Sequence, residues 1–144
     1  MKILIINGPN LNFLGIREPE IYGKRDFNAL IKLCEETCAR LGIECETYQS
    51  NHEGDIVDRI QAAYGNADGI LINPAAYTHT SVAIPDALKA VGIPTVEVHL
   101  SDINSREEFR RRSFVSPVAI RTICGKGFDG YVEGLELLKE YISK

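Results

Sequence analysis

The sequence predicts an α/β fold built on a doubly wound parallel sheet of five strands, and three observations support this prediction. Five runs of strand length alternate with helical patterns along the whole chain. Two of these runs, residues 3–6 and 69–73, are almost entirely apolar, which is typical of strands buried on both faces. No repeat or linker interrupts the 144 residues, so a single domain over 1–144 accounts for the chain.

Each element has its own signal in the sequence. The first strand covers 3–6 and is followed by a long loop over 7–23. Apolar residues then recur every three or four positions over 27–41, which predicts a helix that ends at Gly42. The next strand, 43–48, alternates apolar and polar residues. The remaining predicted elements are helix 55–64, strand 69–73, helix 81–91, strand 94–99, a short charged helix over 105–112, strand 118–123 and helix 129–142.

The alternation of strands and helices also predicts the topology. Parallel strands joined by right-handed crossovers place helices on both faces of the sheet. For five strands we predict the flavodoxin-like order 2-1-3-4-5, with the alternating second strand at an edge. Ligands of such sheets bind beyond the carboxyl ends of the strands, at the switch point between strands 1 and 3.

The composition limits the classes of function. A net charge of −4 argues against a nucleic-acid surface, which is normally basic. No apolar run is long enough for a membrane span, and the N-terminus has no signal-peptide pattern, so we expect a cytoplasmic protein. We interpret the four cysteines as free, buried thiols, because no Cys-x-x-Cys or zinc-binding set is present.

Polar residues collect at the predicted ends of strands 1, 3 and 4. They occur in the segments 7–10, 73–79 and 97–101, which the topology brings to the same edge of the sheet. Two histidines, His79 and His99, lie in these segments, and each is suited to act as a general acid near neutral pH. A metal site formed by His79, His99 and Glu97 is the less favoured alternative, because no ligand pair has metal-site spacing.

Other kinds of site have little support. Strand 1 is not followed by Gly-x-Gly-x-x-Gly or a Walker lysine, and no serine or cysteine has a nucleophile-elbow pattern. The segment 125–127, Gly-Lys-Gly, is interpreted either as an anion cradle or as a turn. Arg110, in the charged segment after strand 4, is within reach of the predicted crevice and suits a carboxylate or polyol.

The loop over 7–23 contains Arg17 and Tyr22. Long loops in compact domains are usually functional or disordered, and we favour a lid or binding loop. An ordinary tyrosine has a pKa of about 10, so roughly one molecule in a thousand is ionised at pH 7. A neighbouring guanidinium lowers the pKa of a phenol, so Tyr22 beside Arg17 is a candidate base for a proton next to a carbonyl.

Several long strings of residues together resemble the type II 3-dehydroquinate dehydratase family. They span essentially the whole chain and comprise residues 6–12, 17–19, 22–23, 73–81, 97–101 and 106–110. The resemblance implies a flavodoxin-like enzyme that needs no metal or organic cofactor and assembles as a dodecamer of four trimers. It also implies conversion of 3-dehydroquinate to 3-dehydroshikimate by syn elimination of water through an enolate. The resemblance leaves two pathways open. The enzyme would serve either aromatic biosynthesis, through shikimate and chorismate, or the breakdown of quinate.

The resemblance further implies a role for each matching residue. Tyr22 would be the base, Arg17 would lower the pKa of Tyr22, and Asn10 would hold the water that stabilises the enolate. His99, oriented by Glu97, would protonate the leaving hydroxyl. The implied substrate-binding residues are Asn73, His79, Leu100, Ser101 and Arg110, together with Asp86, which would reach the site of a neighbouring subunit.

The chain departs from the usual family pattern at a few positions. Asp102 replaces a common asparagine, and Asn104 and Arg112 replace common histidines. These departures put in question the rim of the site and the packing between subunits. The competing hypothesis is a non-catalytic flavodoxin-like module that binds a small polar anion.

Overall fold

The computed structural model describes residues 1–16 and 25–144, and its five strands form one parallel sheet. The sheet has the order β2-β1-β3-β4-β5, which confirms the predicted topology. The strands are β1 (Lys2–Asn7), β2 (Glu44–Gln49), β3 (Gly69–Asn73), β4 (Thr95–His99) and β5 (Arg121–Cys124). The helices are α1 (Phe27–Leu41), α2 (Glu53–Ala62), α3 (Ala83–Val91) and α4 (Asp129–Ser143).

The sheet separates two hydrophobic cores. Successive residues of a strand point to opposite faces, so the apolar run of β1 contributes to both. Ile3 and Ile5 pack with α1 and α4, whereas Leu4 and Ile6 pack with α2 and α3. Helices therefore cover both faces, as the near-continuous apolar strands predicted.

The second strand lies at an edge of the sheet, as its alternating sequence predicted. Its residues are exposed or half-buried throughout, whereas every residue of β3 and of β4 is buried. Because one side of an edge strand lacks a neighbouring strand, less of its surface is removed from water.

The prediction of a helix over 105–112 was wrong. Two short 3₁₀ turns, Ile103–Ser105 and Glu108–Arg110, occupy this region instead. Ile103 is the one buried residue between positions 103 and 112, and the ring of Phe109 is 67% exposed. A short helix without an apolar face gains little from packing and is only marginally stable in isolation.

The remaining boundaries agree with the predictions to within about two residues, except at β5. That strand begins at Arg121, because a 3₁₀ turn over Ser116–Val118 with Pro117 precedes it.

All four cysteines are free thiols; two are buried and two, Cys45 and Cys124, are partly exposed. None of the helices within 1–16 and 25–144 has the length and apolar character required to cross a membrane.

Candidate active site

The carboxyl ends of β1 and β3 are in direct backbone contact. Asn7 and Asn73 are register partners, and Gly8 donates its N–H to the carbonyl of Asn73 at 2.8 Å. A Cβ atom on residue 8 would lie 2.4 Å from the carbonyl oxygen of Pro74. No other residue fits at position 8 without displacing the backbone, so Gly8 fixes how the two loops leave the sheet.

A cleft of about 110 Å³ opens beyond this contact, at the switch point that the topology predicted. Its size suits a small molecule. Seven of the predicted site residues line it: Asn10, Asn73, His79, His99, Leu100, Ser101 and Arg110. Sequence reasoning missed Arg106, which lines the same cleft and was considered only as part of a family string.

Glu97 lies directly beneath the cleft and is completely buried. Its carboxylate accepts a hydrogen bond from His99 Nε2 at 2.5 Å. Hydroxyl groups of three residues also donate to it, at 2.6 to 3.0 Å: Thr78, Ser113 and Thr122. Because these donors use both carboxylate oxygens, Glu97 is held in one position and in turn orients the ring of His99.

The hydrogen bonds to Glu97 decide its charge state. Burial, the largest single effect, raises the pKa of this carboxyl, but the donors His99, Thr78 and Ser113 together outweigh it and lower the pKa. Glu97 is therefore a carboxylate at neutral pH. A carboxylate accepts from His99 Nε2, so this nitrogen carries the proton, and Nδ1 is the atom available to a ligand in the cleft.

The other side of the cleft presents donors for an anion. Arg106 donates to Ser101 Oγ at 3.2 Å, and Arg110 Nε lies 2.8 Å from Glu107 Oε2. Both guanidinium groups line the cleft, and Arg110 retains donors beyond its contact with glutamate.

His79 Nδ1 donates to the Arg112 carbonyl at 2.7 Å, which leaves Nε2 free to accept from a hydroxyl.

Two residues of the cleft have backbone angles that favour glycine. Asn10 has a φ of 70° and Ala75 a φ of 52°, and they are the two non-glycine residues with positive φ in the described part of the chain. Such conformations cost on the order of 1–3 kcal/mol and occur preferentially at functional sites. Asn10 is supported there by Asn51, whose side-chain oxygen accepts from the Asn10 N–H at 3.0 Å.

The remaining predicted site residues are Arg17, Tyr22 and Asp86. Arg17 and Tyr22 lie outside the described residues. Asp86 is exposed on α3 and does not line the cleft.

The hydroxyl groups around Glu97 were not singled out from the sequence. Thr78 follows β3, Ser113 lies 16 residues beyond Glu97, and Thr122 is on β5. Only Thr122 had a usable signal, because it is the register partner of Glu97 on the neighbouring strand.

The departures from the family pattern leave the cleft intact. Asp102 accepts from the N–H of Asn104 at 3.0 Å, and the position of His79 depends on the carbonyl of Arg112 rather than on its side chain.

The 125–127 segment is a turn, because the N–H groups of Gly125 and Gly127 donate to the carbonyls of Ser101 and Leu100. Clusters of three metal-ligating side chains are absent over 1–16 and 25–144.

Comparison with known proteins gives one consistent result. The family described as dehydroquinase class II matches residues 1–139. A protein from Clostridium acetobutylicum named 3-dehydroquinate dehydratase is 57% identical over all of both chains, and one of the same name from Geotalea daltonii is 55% identical over the same extent. The crystal structure of a type II dehydroquinase from Butyrivibrio crossotus has a TM-score of 0.94 at 55% identity and covers 96% of this chain and 97% of its own.

The lowered pKa of Glu97 predicts how stability changes with pH. A depressed pKa in the folded state contributes stability above the pKa of the unfolded chain, and this contribution is lost as the pH falls through the folded pKa. Thr78→Val keeps the shape of the side chain and removes one donor. We expect it to cost about 1.5–3 kcal/mol at pH 7, the usual value for a hydrogen bond to a charged group.

The difference between the two proteins should shrink as the pH is lowered through the range in which Glu97 becomes protonated. Urea unfolding from pH 7 to pH 3 measures this. Thr47→Val, at an exposed position of β2, is the matched control and should show no pH-dependent difference. A Thr78→Val cost that is the same at every pH would contradict the assignment of a buried carboxylate.

Proposed function

We propose a reaction for this chain from one premise: it belongs to the dehydroquinase class II family. The chain is a 3-dehydroquinate dehydratase, a lyase that removes water from 3-dehydroquinate to form 3-dehydroshikimate. The observation that carries this proposal is the Glu97–His99 pair, which presents one histidine nitrogen to a cleft lined by two arginines.

The reaction divides into two proton transfers. A base first removes a proton from the carbon beside the ketone, and the electrons of the broken C–H bond form an enolate. The enolate then collapses to the conjugated enone as the neighbouring C–O bond breaks. The departing hydroxyl takes a proton from Nδ1 of His99 in its imidazolium form, while the Nε2–H stays hydrogen-bonded to Glu97, and it leaves as water. No lysine lines the cleft among the described residues, so we propose acid–base chemistry without a Schiff base.

The remaining residues of the cleft suit the rest of the substrate. We propose that Arg110 and Ser101 bind its carboxylate and hydroxyl groups, because guanidinium and hydroxyl donors match those groups. His79 Nε2 accepts from a substrate hydroxyl, and Asn73 donates to a substrate oxygen. Leu100 packs against the carbon ring, and Asn10 holds the water that stabilises the enolate oxygen.

We assign the base to Tyr22 and its activation to Arg17. Support for this assignment comes from the sequence pattern alone, since both residues lie outside the described part of the chain. The proposed mechanism also requires a base in addition to His99, because it uses His99 as the acid.

The first test is turnover of 3-dehydroquinate, followed by the ultraviolet absorbance of the conjugated enone. We expect saturable activity, and we expect His99→Ala to lower kcat by about 10²–10⁴-fold, as for loss of a general acid. His52→Ala, at an exposed position outside the cleft, is the matched control and should retain full activity.

Two results would overturn this proposal. Saturable binding of dehydroquinate without turnover in the parent protein would favour the non-catalytic binding module. A His99→Ala variant with a kcat within threefold of the parent would assign the proton to another group.

The second test separates activation of the base from charge stabilisation. If Arg17 lowers the pKa of Tyr22, removing the guanidinium raises that pKa, so Arg17→Ala should be slow at pH 7 and regain part of its kcat towards pH 10. Tyr22→Phe has no ionisable oxygen and should be inactive throughout. The measurement is the pH–rate profile of both variants beside Arg40→Ala and Tyr64→Phe, two controls on exposed side chains.

A constant deficit of Arg17→Ala from pH 6 to pH 10 would show that the arginine does not tune the base. Its role would then be limited to positioning or to stabilising charge in the transition state.

We further propose that the chain assembles from trimers into a dodecamer, in which Asp86 approaches the site of a neighbouring subunit. The exposed surface of α3 supports this proposal, because Asp86 is accessible there and the side chain of Val82, at the start of the helix, is 57% exposed.

Light scattering should give a mass that is a multiple of three subunits of 16.0 kDa. In the assembled protein Asp86→Ala should raise KM, whereas Asp58→Ala, on the exposed surface of α2, should not. A fully active monomer would contradict the shared site.

A further inference from the structure

A tyrosine hydroxyl joins the two asparagines that end β1 and β3. Tyr131, in the first turn of α4, is completely buried. Its hydroxyl accepts from Asn73 Nδ2 at 2.9 Å and donates to Asn7 Oδ1 at 2.6 Å. The two asparagines are register partners on the face of the sheet that α4 covers, so one hydroxyl reaches both.

The direction of each hydrogen bond in this network is fixed by the previous one. The backbone N–H of Ala75 donates to Asn73 Oδ1 at 3.0 Å, so the other end of that amide, Nδ2, must face Tyr131. A tyrosine hydroxyl has one proton to give, and it goes to Asn7 Oδ1. Reversing the Asn73 amide would set its NH₂ group against the Ala75 N–H and lose that bond. Asn7 Nδ2, the other end of the second amide, is buried without a partner among the described residues.

The network also supports a strained residue of the cleft. Ala75 lines the cleft with a φ of 52°, a conformation that an alanine rarely adopts. Its N–H is held by the same Asn73 oxygen that fixes the amide. The backbone at the cleft wall therefore depends on the orientation of Asn73, and that orientation depends on Tyr131.

Two glycines allow α4 to come close enough to the sheet. A Cβ atom on Gly134 would lie 2.6 Å from Leu71 Cδ1, and one on Gly130 would lie 3.2 Å from Val98 Cγ2. These glycines flank Tyr131 on the buried side of the helix. A larger residue at either position would force the facing side chain or the helix itself to shift.

We propose that Tyr131 is a positioning residue for the substrate site, which fixes the amide of Asn73 so that its second Nδ2–H is presented to the ligand. Tyr131 does not line the cleft and acts only through Asn73 and Ala75. Burial raises the pKa of the Tyr131 hydroxyl well above its ordinary value, so the group stays protonated and can always donate. The kinetic part of this proposal rests on the proposed function.

The test is Tyr131→Phe, which keeps the ring and removes the hydroxyl. We expect KM for 3-dehydroquinate to rise about 5- to 10-fold, the size of a lost neutral hydrogen bond. We expect kcat to change less than about threefold, since a contact made equally in ground and transition states affects KM alone. Tyr141→Phe makes the same chemical change on a half-exposed side chain of α4 and should leave KM unchanged.

A double-mutant cycle distinguishes action through Asn73 from general destabilisation. Asn73→Ala should raise KM at least as much as Tyr131→Phe does, and adding Tyr131→Phe to it should raise KM less than about twofold further. Ile60→Val, buried in the opposite core, loses a comparable amount of stability and should keep the parent KM. Additive effects of the two variants, or an unchanged KM in Tyr131→Phe, would overturn the proposal.

Hydrogen exchange gives a measure that needs no substrate. The peptide that contains Ala75 should exchange its amide protons faster in Tyr131→Phe than in Ile60→Val, because the Asn73 oxygen no longer holds the Ala75 N–H. Unchanged exchange in this peptide would overturn the positioning role. If the parent protein does not convert 3-dehydroquinate, the proposed function fails, while the exchange experiment still tests the network.

Discussion

The backbone contact between β1 and β3 at their carboxyl ends is the constraint on which the site depends. Gly8 donates to the Asn73 carbonyl, and no side chain larger than hydrogen fits between Gly8 and Pro74. The two loops therefore leave the sheet in contact and diverge only beyond this point. The cleft opens where they diverge, so its location is set by the backbone. The reactive side chains are then placed by the strands on either side of it.

The site has a charged part and a neutral part, which lie on opposite faces of the sheet. Glu97 and the groups that bind it are on the side of α2 and α3, because Val96 and Val98 occupy the other face of β4. A buried carboxylate is costly unless donors surround it, and four side chains supply them. The amides on the opposite face are neutral, and one tyrosine binds both of them. The carboxylate has donors on both of its oxygens, whereas the neutral part leaves one buried donor, Asn7 Nδ2, without a partner among the described residues.

Much of this arrangement could be predicted from the sequence, because it follows from periodicity and strand order. The apolar strands, the edge position of β2 and the crevice between strands 1 and 3 depend on local pattern and on known rules of chain topology. The sequence predicts a helix over 105–112 because the charged residues of this segment are good helix formers. Propensity alone does not make a short helix stable, and this segment lacks an apolar face. Ser113 was missed because it lies 16 residues after Glu97 in the sequence, and the contact between them forms only in the folded chain.

Tyr131 shows what kind of sequence signal was available and unused. Asn7 has the same parity as Ile3 and Ile5, and Asn73 the same parity as Leu71, so both amides must face α1 and α4. A helix that follows a parallel strand begins at the carboxyl edge of the sheet, so the first turn of α4 lies level with these amides. Within that turn, Tyr131 combines a large apolar body with a polar tip. Parity of the strand ends and position within the following helix would therefore have identified the partner, although hydrophobic periodicity alone treats this tyrosine as an ordinary core residue.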